Sequence, residues 1–224
     1  LPLFAALWLP KPGISRRKRL FRGFVLGYLA GLSFFLINLS WLHHIPFAAA
    51  TLLPAFLALY FGALGAFAAS TGRPEFAHSP VNSSLENSRA TLIRPALQSC
   101  YVALLNGGAW CGLEWLRGWV LSGFGWNGLG VALHENLILI QLANIVGVTG
   151  LAFLIVFCSS VSAAVILRIC RELRRGRLRA HLDFAIAVSL VCGAFFYGTL
   201  KLSNPPGESI EVRVLLVQGG VAQD

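Results

Sequence analysis

Long apolar runs, separated by short clusters of charged residues, restrict the fold of this sequence more than any other feature. Most of these runs are about 20 residues long, and one, 137–167, is longer. An α-helix rises about 1.5 Å per residue, so about 20 apolar residues cross the roughly 30 Å hydrocarbon core of a bilayer. Every backbone amide is then hydrogen-bonded inside the helix. The sequence therefore predicts an all-α polytopic membrane bundle.

The apolar runs predict about five full membrane spans and one partial span. The stretch 137–167 is too long for one crossing, and Gly147 and Gly150 divide it into a short interfacial piece and a span. The predicted spans are 23–42, 51–70, 96–115, 148–167 and 181–200, with 1–9 as the tail of an earlier span. Together they form a helical domain over 1–203.

Composition supports lipid as the solvent of this chain, because 56% of its residues are hydrophobic and only 12% are charged. The net charge of +9 would also fit a nucleic-acid partner, so the positions of lysine and arginine must decide. Most of them lie in 11–22, 71–95 and 168–180, which alternation of the spans places on one side of the membrane. By the positive-inside rule these loops are cytoplasmic, and we expect no nucleic-acid partner.

The last part of the chain predicts a different kind of structure. Residues 204–207, Asn-Pro-Pro-Gly, break any helix, and in 210–216 apolar residues alternate with Glu211, Arg213 and Leu215. This pattern is typical of a β-strand, which cannot be stable without partners. We therefore expect 208–224 to open a second domain on the outer side of the membrane, truncated after its first strand.

Four residues at helical spacing form the first candidate site. Asn106, Trp110, Glu114 and Arg117 lie on one face of a helix near a membrane boundary. One interpretation is a polar groove that orients a lipid headgroup, with Arg117 facing a phosphate and Glu114 an amine. The other is an ion pair between Glu114 and Arg117 that closes the bundle. The sequence leaves both open.

A stretch rich in tryptophan and glycine follows. Trp115, Trp119, Phe124 and Trp126 alternate with glycines, which would suit a re-entrant segment that grips acyl chains. An aromatic belt at the membrane interface, which needs no ligand, explains the same pattern. The candidate lipid-binding residues from both stretches are Trp110, Glu114, Arg117, Trp119 and Trp126.

We expect no catalytic site among the other reactive side chains. The five cysteines show no CxxC spacing, and no histidine lies at metal-ligand spacing, so we expect no metal and no cofactor. Cys111 lies in an apolar environment that makes a thiol inert. His43 and His44 are expected to be interface anchors, and the pair His134 and Glu135 lacks a nucleophile.

A repeated glycine face offers a packing signal within the span 23–42. Gly23, Gly27 and Gly31 recur every four residues. Small residues at this spacing let a neighbouring helix approach closely in a membrane. We expect a large residue at Gly27 to disrupt the bundle.

Three segments closely resemble the apolipoprotein N-acyltransferase family of the bacterial inner membrane. The first is EWLRGW at 114–119, followed by SGFGW at 122–126 and IQLANIVGVTGLAFLIVF at 140–157. The second is VRVLLVQGGVAQD at 212–224, which resembles the opening strand and turn of the family's nitrilase-like domain. The third is GFVLGYLAGLSFFLINLSWL at 23–42. The resemblance covers almost the whole chain.

The resemblance implies a helical bundle that carries a periplasmic α/β nitrilase-like domain. In the family, a Cys of that domain takes an acyl chain from a phospholipid as a thioester and passes it to the N-terminal diacylglyceryl-cysteine of a lipoprotein, with a Glu as base and a Lys at the oxyanion. None of these positions can be matched here, and Cys111, Glu114 and Lys201 do not replace them. The implied partners are the membrane, a phospholipid donor and a lipoprotein acceptor, and the fragment alone is expected to be inactive.

Two other classes of protein remain as alternatives. A transporter or channel subunit would carry charges at mid-membrane, paired broken helices or an internal repeat, and apart from the face with Glu114 the sequence shows none of these. A non-catalytic membrane scaffold would need no further feature than the spans themselves.

Overall fold

The computed structural model describes residues 2–9, 13–44, 47–71, 88–176, 180–204 and 214–217. Within these ranges the chain is helical almost throughout. The α-helices are α1 Pro2–Trp8, α2 Arg16–Asn38, α3 Phe47–Ser70, α4 Ser88–Arg117, α5 Leu137–Ile140, α6 Ala143–Arg174 and α7 Leu182–Ser203. Short 3-10 segments lie at Ser40–His44, Val120–Ser122 and Leu129–Leu133.

Four of these helices are long and apolar enough to cross a membrane, namely α2, α3 over Thr51–Ser70, α6 and α7. The chain is therefore a multi-pass membrane protein. The predicted span 96–115 lies in α4, whose 30 residues are sufficient in length. α4, which contains Gln98 and Asn106, is not among the four helices apolar enough to cross, so a fifth full span remains a prediction.

Several helices extend beyond the predicted spans into charged sequence. α2 begins at Arg16 rather than residue 23, because the Ser15 hydroxyl accepts a hydrogen bond from the Lys18 amide (3.4 Å) and caps the helix. α6 continues to Arg174, seven residues past the predicted end. A helix need not end where the hydrocarbon ends, since its charged side chains are solvated by headgroups and water. Hydropathy alone therefore makes both helices too short.

The predicted interruption at Gly147 is confirmed. Gly147 has φ +68° inside α6, a left-handed conformation that glycine adopts without steric cost. The preceding stretch forms the short helix α5 and a turn, and the regular helix runs from residue 148 onwards. The apolar stretch is thus divided at Gly147, whereas Gly150, the other predicted dividing residue, lies within the regular helix.

α2 and α3 pack antiparallel at a very short distance. A Cβ atom on Gly27 would overlap the carbonyl oxygen of Phe61, and one on Gly23 would lie 2.5 Å from the carbonyl oxygen of Gly65. Gly31 faces the Phe61 side chain. The predicted glycine face is therefore the contact surface between these two helices.

The remaining helices also alternate in direction. Asn106 of α4 donates a hydrogen bond to the Ser160 hydroxyl of α6 (3.1 Å), and the Trp8 indole of α1 donates to the Ala68 carbonyl of α3 (3.3 Å). A core formed by α1, α3, α4 and α6 includes Trp8, Leu64, Trp110 and Ala164.

The two ends of the bundle carry different side chains. We call one the basic end, with the start of α2 and the end of α6, and the other the Trp-rich end, with Ser40–His44 and 116–136.

The second predicted domain is not tested by the structure. α7 ends at Ser203, directly before the helix-breaking 204–207, as predicted. Of 208–224 only 214–217 are described; they are exposed and have no regular secondary structure, so the strand remains a prediction. The connector 72–87 and the side chains of His43 and His44 lie outside the described residues.

Candidate functional site

The polar face of α4 divides into an interior half and a half at the Trp-rich end. In the interior half, Asn106 is fully buried against Ser160 of α6, and Trp110 is only 4% exposed. The Trp110 ring meets Phe61 edge to face, with 4.9 Å between the ring centroids. These two residues are held inside the bundle, where they fix α4 between α3 and α6.

Glu114 fastens the loop that follows α4. Its Oε1 atom accepts a hydrogen bond from the backbone amide of Leu129 at 2.6 Å. The same oxygen lies 3.8 Å from the Arg117 guanidinium. A hydrogen bond to a charged acceptor is stronger than a neutral one, so Glu114 fixes the 3-10 segment Leu129–Leu133 against α4.

Arg117 holds the same loop from its other side. Its guanidinium donates to the backbone carbonyl of Trp126 (3.1 Å) and lies 5.8 Å from the centre of the Phe35 ring on α2. The side chain is only 4% exposed. A cation over an aromatic face is attracted to the ring, so Arg117 links α2, α4 and the loop. The structure thus contains the ion pair of the second interpretation, and both partners also bind loop backbone.

The backbone between the end of α4 at Arg117 and the anchored amide of Leu129 is bent sharply. Gly123 has φ +80°, and a Cβ atom there would overlap the carbonyl oxygen of Gly118. Leu121 and Asn127 also have positive φ, at 52° and 56°. In a leucine this conformation costs roughly 1–2 kcal/mol. The Leu121 side chain is 77% exposed. The loop therefore directs an apolar side chain outward.

Exposed tryptophans surround this loop. Trp119 is 71% exposed and Trp126 is 62% exposed. Trp126 stacks on Trp41 with ring centroids 5.6 Å apart, and Trp119 lies 6.1 Å from Trp115. Exposed indole rings at one end of a membrane bundle are typical of the headgroup region, where an amphipathic ring has both an apolar and a polar neighbour. We use the name aromatic surface for four tryptophans and the leucine that lies among them, namely Trp41, Trp115, Trp119, Leu121 and Trp126.

The exposed side chains at this end are aromatic and apolar, which suits contact with lipid. The Cys111 thiol points to the Thr149 carbonyl at 3.4 Å, across to α6. Among the described residues, no three His, Cys, Asp or Glu side chains are grouped so that they could hold a metal ion. Of the five sequence candidates, Trp119 and Trp126 are exposed, Trp110 and Arg117 are buried, and Glu114 is partly buried.

Sequence reasoning missed several partners in this region and one ion pair elsewhere. Nothing distinguishes Phe35 from the other residues of its apolar run. Trp41 lies at the end of that run, as a tryptophan at a membrane boundary would. At the opposite end, Arg168 forms a buried ion pair with Asp183, which joins α6 to α7. A lone aspartate in an apolar run was the available signal.

We expect Glu114→Ala and Glu114→Gln to behave differently. Alanine removes the acceptor of the Leu129 amide, which should increase amide hydrogen exchange in 118–136 about tenfold or more, whereas glutamine keeps an acceptor and should change exchange much less. Mass spectrometry of the exchanged protein in detergent measures this. Unchanged exchange in the alanine variant would show that Glu114 does not hold the loop.

Comparison with known proteins adds information on ancestry. Residues 1–161 match the family described as the apolipoprotein N-acyltransferase N-terminal domain. An apolipoprotein N-acyltransferase of Bordetella bronchiseptica is 32% identical over 215 residues, covering 90% of this chain and 36% of that protein. One of Caulobacter vibrioides is 35% identical over 132 residues, covering 59% of this chain and 23% of that protein.

A relative of the same name from Rickettsia bellii is 30% identical over 114 residues, covering 51% of this chain and 21% of its own length. The chain thus spans between 21% and 36% of the length of these relatives. No solved structure matches it.

Proposed function

Because the chain belongs to the apolipoprotein N-acyltransferase family, we propose that it forms the membrane portion of an enzyme that acylates bacterial lipoproteins. The observation that carries this proposal is the match of residues 1–161 to the family's N-terminal domain. The long apolar helices and the fixed loop at the Trp-rich end supply what such a portion needs, namely anchorage in lipid and a surface at the headgroup level.

The proposed reaction has two steps, each of which exchanges one acyl bond. A cysteine thiolate attacks an ester carbonyl of a phospholipid, which forms a thioester and releases the lysophospholipid. The α-amino group of the lipoprotein's N-terminal diacylglyceryl-cysteine then attacks the thioester, which forms an amide and returns the thiol. We assign this chemistry to a nitrilase-like domain that begins at 208–224, and we expect the present chain to be inactive without it.

We place the protein in the inner membrane with its basic end in the cytoplasm. Clusters of lysine and arginine next to membrane spans favour the cytoplasmic side. The Trp-rich end and the residues after α7 are then periplasmic. Both substrates would present their reacting groups on that side, at the depth of the aromatic surface.

Within this end we propose a division of roles among the five candidate residues. Trp119 and Trp126 contact the acyl chains and headgroup region of the substrates, because their rings are exposed. Glu114 and Arg117 position the loop that carries them, and Trp110 fixes α4 in the bundle. In this proposal Glu114 and Arg117 act on substrate through the loop.

Complementation tests the proposed activity. The gene that contains this chain would be expressed in a bacterium depleted of its own apolipoprotein N-acyltransferase, and the N-terminus of a reporter lipoprotein would be weighed by mass spectrometry. We expect the mass of one additional amide-linked acyl chain. A reporter that stays diacylated, although the membrane contains the expressed protein, would contradict the proposal.

The same assay tests the aromatic surface. We expect the double variant Trp119→Ala, Trp126→Ala to lower the rate of acylation about tenfold. The contacts of two exposed indole rings are then lost, at roughly 0.5–1.5 kcal/mol each. Phe196→Ala on α7 is the control, since Phe196 is also exposed but lies outside the aromatic surface. Equal rates in the double variant and the wild type would remove these tryptophans from the site.

A further inference from the structure

The basic end carries a concentration of positive charge that the described part of the chain does not neutralise. Arg16, Arg17, Lys18 and Arg19 form the first turn of α2, and all four side chains are exposed. Arg174 and Arg175, at the end of α6, are exposed at the same end of the bundle. Like charges this close repel one another unless counter-charges lie nearby.

The acidic residues described at this end are already engaged. Asp183 is fully buried in its ion pair with Arg168, and Glu172 lies 3.5 Å from the His181 imidazole. Among the described residues, neither carboxylate forms an ion pair with the first turn of α2. The positive charge of this turn therefore lacks an internal partner in the part of the chain that the structure describes.

Arg22 shows the contrast with a basic residue that has a structural role. Its guanidinium donates to the Ala6 carbonyl at 3.1 Å, which fastens α2 to the C-terminal end of α1. Within the described residues, the side chains of the four residues at the start of α2 form no such bond, and only the backbone amides of Lys18 and Arg19 bond to Ser15. Their side chains are thus not engaged by the part of the chain that the structure describes.

Apolar side chains at the same level indicate what that partner is. Phe21, two residues after the four basic residues, is 70% exposed, and Leu173 is exposed beside Arg174. Exposed apolar groups immediately next to the charges place this surface at the boundary between hydrocarbon and headgroups. A long cationic side chain there keeps its stem in apolar surroundings and its charge among the phosphates.

We propose that Arg16, Arg17, Lys18, Arg19, Arg174 and Arg175 bind the headgroup phosphates of anionic phospholipids, so that the lipid around the basic end is enriched in them. Arginine suits this role because its planar guanidinium can donate two hydrogen bonds to one phosphate. The site lies at the end of the bundle opposite the aromatic surface and does not depend on acyl transfer.

Electron spin resonance of spin-labelled lipids tests this site in proteoliposomes of phosphatidylcholine. We expect spin-labelled phosphatidylglycerol to associate with the protein at least about fivefold more strongly than spin-labelled phosphatidylcholine, the ratio that one basic contact at a membrane surface supplies. Salt at 1 M, which shortens the screening length to about 3 Å, should remove most of this preference. Both measurements, at low salt and at high salt, use the wild-type protein.

Two variants and one control locate the effect. Replacing Arg16, Arg17, Lys18 and Arg19 together with glutamine should abolish most of the preference. Lys18→Gln should lower it measurably, whereas Lys201→Gln, which removes the same charge from an exposed position at the Trp-rich end, should leave it unchanged. No preference for phosphatidylglycerol in the wild type, or a preference that the fourfold variant retains, would overturn the proposal.

Discussion

Replacing Arg168 with glutamine is expected to destabilise the bundle by about 3–5 kcal/mol, because Asp183 would stay buried without its counter-charge. Asp183→Asn should also destabilise the bundle, since it removes the carboxylate that pairs with the buried guanidinium. The pair joins the end of α6 to the first turn of α7, so its loss should loosen α7 first. Unfolding in detergent, followed by tryptophan fluorescence, gives the free energy.

A double-mutant cycle shows whether this effect belongs to the pair. Combining Arg168→Gln with Asp183→Asn should cost clearly less than the sum of the two single changes, because no unpaired charge remains. Glu135→Gln is the control, because the contact of Glu135 with His134 is exposed and should contribute little. Additive single effects would show that the two side chains do not stabilise each other.

Gly27→Leu is expected to have the second large effect, a loss of about 3 kcal/mol or more. The first atom of the new side chain would already overlap the carbonyl oxygen of Phe61, and a helix backbone cannot move locally as a side chain can. α2 and α3 would have to separate along their contact. The midpoint of thermal unfolding in detergent should therefore fall clearly.

Gly193→Leu is the matched control for this substitution. Gly193 lies within α7 with no atom in the path of an added Cβ, and leucine is the better helix former. We expect its thermal midpoint to stay the same or rise. A Gly27 variant as stable as the wild type would mean that α2 and α3 do not approach as closely as the structure shows.

The main outline of the fold could be predicted because a bilayer limits the possible structures so strongly. Length and apolarity gave α2, α3, α6 and α7, and the glycine spacing gave the face of α2 that packs on α3. Gly147 was predictable for a simple reason: a stretch too long for one crossing must be interrupted, and glycine is where interruption is least costly.

The site could be predicted only in part, since its contacts join residues distant in sequence. The spacing of Glu114 and Arg117 on α4 indicated that they are neighbours, but nothing in it specified the amide of Leu129 or the ring of Phe35 as partners. The pairing of Arg168 with Asp183 was missed for a related reason. Arg168 was counted with a basic loop, although it belongs to the interior of the bundle.

The two ends of the bundle thus differ in chemistry and, we propose, in task. The basic end carries exposed cations beside apolar side chains, which suits anionic headgroups. The Trp-rich end carries exposed indoles on a loop held by Glu114 and Arg117, which suits the lipid-bearing substrates of an acyltransferase. This account requires the two ends to lie on opposite sides of the membrane, with the Trp-rich end in the periplasm.

Cysteine labelling in cells tests that requirement most directly. After the five native cysteines are replaced with alanine, single cysteines would be introduced at Gly125, which has open space around it, and at the exposed Arg175. A membrane-impermeant maleimide should label Gly125→Cys in cells with a permeabilised outer membrane, and should label Arg175→Cys only after lysis. The reverse pattern, or labelling of both positions in unlysed cells, would contradict the account.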